Sequence, residues 1–193
     1  LFKHALIQDT AYQSLLKSTR QQYHTKIAQV LTERFPETVE TQPELVAHHY
    51  TEASLIEQAL PYWLKAGERA SQRSAYVEAI SHLTKGLEVL KTLPDTPERT
   101  EQELDLQITL GPALIAAKGY AAPEVEHSYA RARELCIQGG NTIQLFSALY
   151  GLWWFHFVAA KLQTAREQAE ELLRLAQRQA DPVLLLTAHR ALG

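Results

Sequence analysis

The chain has 193 residues, of which 46% are hydrophobic and 21% are charged, and its formal net charge is -3. This composition excludes an intrinsically disordered chain, because enough apolar surface is present to bury a core. The single cysteine, Cys136, excludes an internal disulfide framework and a thiolate metal cluster. No apolar run approaches the roughly 20 residues that span a bilayer, and no signal-peptide pattern opens the chain, so we expect a cytoplasmic protein that does not enter a membrane.

Apolar residues recur at helical spacing over most of the chain, and residues 1–7 are the one candidate strand. A first helix is predicted from near Ser18 to the Phe35-Pro36 break, and Pro43 stands where the first turn of a helix tolerates proline. Later breaks fall at residues 93–97, 120–123, 139–141 and 181–182. Such short connections predict antiparallel helical hairpins, which form either a bundle or a solenoid.

Small and large residues at fixed offsets distinguish these two architectures. In tetratricopeptide arrays a small residue lies midway along the first helix of each hairpin, and a small, a large and a small residue follow in the second, because helices approach closely only at small side chains. Four sets fit this order: Ala47, Ala59, Trp63 and Ala66; Gly67, Ala79, Leu83 and Gly86; Gly111, Val125, Tyr129 and Ala132; and, least regularly, Ala160, Ala165, Ala169 and Leu172, with Trp153 at the mid-helix position. The predicted fold is all-α, with antiparallel hairpins stacked as a tetratricopeptide-like right-handed superhelix, and an unrelated helical bundle is the alternative.

Three segments carry a resemblance to a known family: FKHALIQDTAYQSLLKSTRQQYH, ELVAHHYTEASLIEQALPYWLKAGERASQRSAYVEAISHL and AAKGYAAPEVEHSYARARELC. They resemble the region after the nucleotide-binding domain in bacterial signalling ATPases of the STAND class, particularly those with an N-terminal class III adenylyl or guanylyl cyclase domain. The resemblance makes residues 1–36 the end of a winged-helix-like linker, with Phe2, His4, Tyr12 and His24 at typical positions, and makes residues 43–193 helical repeats. It implies that the chain regulates an ATPase, and the chain departs from the family pattern in that neither catalytic domain is present in it.

Motifs for chemistry are missing from the sequence. A P-loop needs a Gly-Lys pair, which the chain lacks, and the four aspartates are too far apart to form the metal-binding pair of a cyclase. His48 and His49 are adjacent, so on a helix they point about 100 degrees apart, and His48 with Glu52 supplies two ligands where zinc needs more. The other histidines, His24 among them, are single and scattered, and Cys136 lies on an apolar face that would raise its pKa. We therefore expect no enzyme activity, no cofactor and no metal.

The inner surface of a helical-repeat superhelix is the expected binding surface. Its predicted residues are His48 and Glu52 in the first repeat, Glu68 and Gln72 in the second, and Tyr150, Trp154 and Phe157 in the fourth. The aromatic residues either form a hot spot for a protein partner or pack against neighbouring repeats. The expected partner is another protein or the ATPase domain of the same polypeptide. A small molecule in the groove is the alternative, and DNA binding is disfavoured because the basic residues are dispersed and the net charge is negative.

Two features lead us to expect a segment of a longer protein. Methionine is absent, even from position 1, and Leu1 enters inside an apolar pattern. The repeat phase places Gly193 inside the first helix of a further repeat. A solenoid cut at that point exposes an apolar face, so we expect the face of Leu184, Leu185 and Leu186 to be frayed or buried in a homodimer.

Overall fold

The computed structural model describes residues 10, 12 and 14–193, and within these every regular element is a helix. The candidate strand at residues 1–7 lies outside the described residues. The helices, in chain order, are α1 (Lys17–Arg34), α2 (Pro36–Thr41), α3 (Pro43–Glu52), α4 (Ile56–Gln72), α5 (Tyr76–Leu90), α6 (Pro97–Lys118), α7 (Pro123–Gly139), α8 (Thr142–Val158), α9 (Leu162–Gln179) and α10 (Pro182–Leu192). The all-α prediction and the predicted breaks are confirmed.

Most helix starts follow local rules that the sequence displays. The first helical residue is a proline in five of them, where the missing N–H costs no hydrogen bond; these are Pro36, Pro43, Pro97, Pro123 and Pro182. Side-chain caps add to the later starts: Thr96 accepts from the Arg99 N–H at 3.2 Å, and Asp181 accepts from the Val183 N–H at 2.8 Å.

One turn geometry recurs between helices. Ser54, Ser74, Gly140 and Ala160 each adopt a left-handed conformation two residues before the next helix begins. In each case the following backbone N–H donates to a carbonyl five residues back, at 2.8–3.1 Å, which closes a Schellman motif. Ser54 and Ser74 are 20 residues apart, as are Gly140 and Ala160. A helix plus one such turn is therefore the structural unit that repeats.

Helices that follow one another in the chain pack against one another from α5 to α10, and α6 also contacts α8. With short turns between them, they form successive antiparallel hairpins. By their contacts the residues divide into two compact units, one ending at Ala66 and the other running from Gly67 to Gly193. The division falls inside α4 and differs from the predicted boundary between residues 36 and 43, because α1 packs on α3 in the first unit.

Small residues lie where the repeat pattern placed them. Ala47, Ala59 and Ala66 are buried in the first unit. In the second, a Cβ at Gly111 would overlap the ring of Tyr129. The fourth set needs correction, because Ala160 is a turn residue. Gly151 on α8 lies against α7, where a Cβ would also overlap the Tyr129 ring. Tyr129 therefore packs between two glycines, one on α6 and one on α8.

The last helix also corrects an expectation. Helix α10 is formed, and Leu184 and Leu185 pack against the core that contains Leu172 and Ala176. Leu184 and Leu185 are half-buried, so this part of the face that was expected to be exposed is partly covered within the chain. Leu186 remains exposed, and burial of this residue in a homodimer stays a prediction.

Candidate functional site

The predicted aromatic site lies on α8, a helix that is apolar on almost every side. Asn141 caps it by accepting a hydrogen bond from the Gln144 N–H at 3.1 Å. The helix contacts α7 and α9 and buries Trp153 and Phe155, which are 7% and 5% exposed. An all-apolar helix that does not lie wholly in the interior must present some of its large side chains to solvent.

Four aromatic residues near the end of α8 keep exposed surface, and we call them the aromatic surface: Tyr120, Tyr150, Trp154 and Phe157. Phe157 is 48% exposed and Tyr120 is 39% exposed, whereas Tyr150 and Trp154 are half-buried. The ring centroid of Trp154 lies 5.1 Å from that of Tyr120, 6.3 Å from that of Tyr150 and 6.1 Å from that of Phe157. Most of these contacts are edge-to-face, which fixes the rings relative to one another.

The structure thus brings together Tyr150, Trp154 and Phe157, the three residues predicted on this helix. One aromatic residue of this helix is buried and supports the others. The ring centroid of Trp153 lies 5.6 Å from that of Tyr150 and 5.3 Å from that of Phe157, and Trp153 is buried between these two rings. Sequence reasoning missed Tyr120, which lies in the α6–α7 connection. A residue in a predicted break has no helical face, so its contact with Trp154 could not be inferred.

A groove of about 400 Å³ lies beside this surface, between α8, α9 and α10. Trp153, Phe157 and Leu162 form its apolar lining, and Arg166 and Glu170 form its polar edge. The Arg166 Nε lies 3.4 Å from Glu170 Oε1, so this edge carries a compensated ion pair and no excess charge. A larger groove, of about 550 Å³, lies at the start of α6 and includes Asp95, Glu101 and Asn141, away from the aromatic residues.

The other predicted surface residues are exposed but are not part of the aromatic surface. His48 and Glu52 lie on α3 in the first unit. Glu68 and Gln72 lie on the second half of α4, in the second unit. Exposure agrees with a surface role for each of them, and His48 has a further contact that the sequence did not reveal.

That contact is a group of rings between α1 and α3, which we call the histidine cluster: Tyr12, His24, His48 and His49. His24 Nδ1 lies 2.8 Å from His49 Nδ1, and the Tyr12 hydroxyl lies 2.8 Å from His24 Nε2. The His48 ring centroid is 5.9 Å from that of His24. His24 is only 8% exposed. The description of His24 as a scattered histidine is therefore wrong, since a separation of 25 residues in the chain hid this pairing.

Burial makes both paired imidazoles harder to protonate. Desolvation is the largest cause that lowers the pKa of His24 below its ordinary value of 6.5, and the positive charges of His48 and Arg20 act in the same direction. Desolvation also lowers the pKa of His49, followed by the charge of His24. The carboxylate of Glu52 raises both pKa values and offsets part of the effect.

The remaining candidate groups have ordinary structural surroundings. Cys136 is buried, and burial raises the pKa of its thiol to about 11, as its position on an apolar face predicted. In the part of the chain that the structure describes, no three His, Cys, Asp or Glu side chains are placed to hold a metal ion. His156 is packed: its Nδ1 lies 2.9 Å from the Leu152 carbonyl oxygen and 3.0 Å from Gln168 Oε1.

The chain matches no protein-family model. It is 24% identical over 193 residues to an uncharacterized protein of Rhizobium meliloti (strain 1021), and the match covers 99% of this chain and 18% of that relative. The chain therefore spans less than a fifth of the length of the relative it matches. Among the described helices, none is both long enough and apolar enough to cross a bilayer.

Proposed function

We propose that the chain is a non-catalytic, tetratricopeptide-like segment that regulates a larger signalling protein by binding a protein partner through the aromatic surface. In line with the resemblance of its sequence, the larger protein is a STAND-class ATPase, and the partner is another protein or the ATPase domain of the same polypeptide. The similarity to a fraction of a much longer bacterial protein supports a segment that works within a larger chain.

The observation that carries this proposal is the aromatic surface itself. Aromatic residues contribute most of the free energy at many protein interfaces, especially where rigid neighbours fix their rings. Phe157 presents about half of its area to solvent although its ring stacks on the buried Trp153. Binding would bury this ring without reorganising the helix, which lowers the entropic cost of association.

A small-molecule ligand in the adjacent groove is the second candidate. The groove has the size of a ligand site, and Trp153 and Phe157 supply an apolar lining. It is only partly enclosed, whereas ligand sites usually enclose most of the bound molecule. This geometry favours an elongated protein segment over an enclosed small molecule.

The test uses two parts of the longer polypeptide that the proposal expects. The region N-terminal to the chain is prepared separately, and its binding to the isolated chain is measured by tryptophan fluorescence and calorimetry. Trp63 and Trp153 are buried, so a change in emission would report mainly on the half-buried Trp154. We expect Phe157→Ala to weaken binding at least about tenfold, which corresponds to about 1.4 kcal/mol.

The matched control is Ile143→Ala, because Ile143 is an exposed apolar residue at the opposite end of the same helix. Equal affinities for the wild type and Phe157→Ala would contradict the proposed surface. A Phe157→Ala variant that loses several kcal/mol of unfolding free energy would assign the ring to packing. A full-length reading frame without a P-loop sequence upstream would remove the ATPase from the proposal.

A further inference from the structure

The hydrogen bond between His24 and His49 requires that at least one of the two Nδ1 atoms carries no proton. Two imidazole nitrogens at 2.8 Å can bond only when one carries a proton and the other offers a lone pair. If His24 Nδ1–H donates to His49, then His24 Nε2 is an acceptor and the Tyr12 hydroxyl donates to it. In the reverse arrangement His49 donates, and His24 Nε2–H donates to the Tyr12 oxygen. In both cases the two rings are neutral and all three groups are satisfied.

Protonation of both rings destroys this arrangement. Each Nδ1 then carries a proton, so two donors and two positive charges face each other across a contact of 2.8 Å. His24 is almost completely removed from water, so solvent does not screen the repulsion effectively. The charged groups that face the pair from the described residues are Arg20 on α1 and His48 and Glu52 on α3, and only Glu52 favours protonation.

The pair is also the polar link between two helices. His24 belongs to α1 and His49 to α3, and these helices pack against each other in the first unit. Tyr12 precedes α1 and bonds to the opposite side of the same ring, and the Arg20 guanidinium lies 5.3 Å from the Tyr12 ring centroid. Loss of the ring pairing would therefore remove this polar contact between α1 and α3, whereas a protonated His24 could still donate to the Tyr12 oxygen.

We propose that the histidine cluster is a pH-sensitive clasp that holds α1 against α3 while His24 and His49 are neutral and releases α1 when both are protonated. The paired rings bind fewer protons in the folded chain than in the unfolded chain, so this stabilisation is fully present above the ordinary histidine pKa of 6.5. It is lost as the pH falls through the lowered values. Acidification would thus open α1 while leaving histidine-free helices closed.

Hydrogen exchange on the full 193-residue chain, in EDTA, tests this inference. Opening of α1 is compared with opening of α6, which contains no histidine, at pH 7.5 and pH 5.5 after correction for the intrinsic exchange rate. We expect acidification to increase α1 opening relative to α6 at least about fivefold. His49→Asn keeps a hydrogen-bonding group at the Nδ1 position without a titrating ring, so the increase should fall below about twofold.

The matched control is His189→Asn, which removes an exposed histidine from α10 and should keep the wild-type response. A wild-type chain without the pH-dependent opening, or a full response in His49→Asn, would overturn the inference. Opening of α1 by EDTA at pH 7.5 that Zn²⁺ reverses would also overturn it, because the nitrogens would then be metal ligands. Should His49→Asn fail to fold, a histidine NMR titration of the wild type would decide the question. A pKa at or above 6.5 for both His24 and His49 would contradict the proposed clasp.

Discussion

Tyr129 and His24 are both buried rings between helices, but they are held by different forces. Tyr129 lies between the backbones of Gly111 and Gly151, and its position depends on shape alone. His24 lies between Tyr12 and His49, and its position depends on protons. Packing between helices is thus fixed by steric fit in one unit and by a titratable hydrogen bond in the other. The two units should therefore respond to different perturbations.

The largest effect is expected at the tyrosine. In Gly151→Ala the new Cβ would overlap the Tyr129 ring, which cannot move toward Gly111 because that side is equally close. We expect a loss of about 3 kcal/mol in unfolding free energy, the same at pH 7.5 and pH 5.5. Urea unfolding followed by tryptophan fluorescence measures it, since Trp153 and Trp154 lie on the same helix.

Gly139→Ala is the control for that experiment, because a Cβ at Gly139 meets nothing within 4 Å. It should change the unfolding free energy by less than about 0.5 kcal/mol. If Gly151→Ala lowered the unfolding free energy no more than this control, the Tyr129 ring would not be sterically confined between the two glycines.

A smaller effect, which depends on pH, is expected at the histidine. His24→Phe keeps a ring of similar size but removes the hydrogen bonds to Tyr12 and His49. We expect a loss of about 1–2 kcal/mol at pH 7.5, measured as the opening free energy of α1 by hydrogen exchange. The difference in α1 opening free energy between the wild type and the variant should be smaller at pH 5.5. The wild type then loses the stabilisation that depends on neutral histidines, which the variant lacks at both pH values. A deficit that is constant between the two pH values would contradict the assigned role of protonation.

The smallest effect concerns a feature that the two units share. Ser54 in the first unit and Ala160 in the second adopt positive φ angles of 62° and 56°, at turns where Gly140 has 70°. Ser54→Gly and Ala160→Gly should each stabilise the chain by about 0.5 kcal/mol, and Gly140→Ala should destabilise it by about 1 kcal/mol. Thermal unfolding measures the stability of the three variants relative to the wild type. A loss of stability in Ala160→Gly would show that backbone strain at this turn does not limit the stability of the chain.

Local signals allowed much of the fold to be predicted. Prolines at helix starts, the Gly139-Gly140 stop and the small residues at Ala47, Ala59 and Ala66 all act within one hairpin, where sequence separation is short. The failures involve contacts that no local rule encodes. The repeat pattern requires a small residue at the position of Trp153. The small residue against which the Tyr129 ring packs is Gly151, two residues earlier, which the pattern did not indicate.

The candidate site was predicted in part for the same reason. Tyr150, Trp154 and Phe157 share the exposed side of one helix, and helical spacing alone groups them. Tyr120 joins them from a connection, and His24 meets His49 from another helix, so both contacts depend on tertiary packing. Which aromatic residues are buried and which are exposed also depends on the neighbouring helices, because α8 is apolar on almost every side.

The 20-residue recurrence of the Schellman turn has a consequence for how such a chain can change in length. Each unit brings its own helix stop, since the turn is closed by backbone hydrogen bonds and tolerates serine, alanine or glycine at its left-handed position. Duplication or deletion of one 20-residue unit would therefore leave every remaining turn intact and would alter only the helix faces at the junction. The length of this architecture can therefore change in steps of one helix, with new contacts limited to the helices next to the junction.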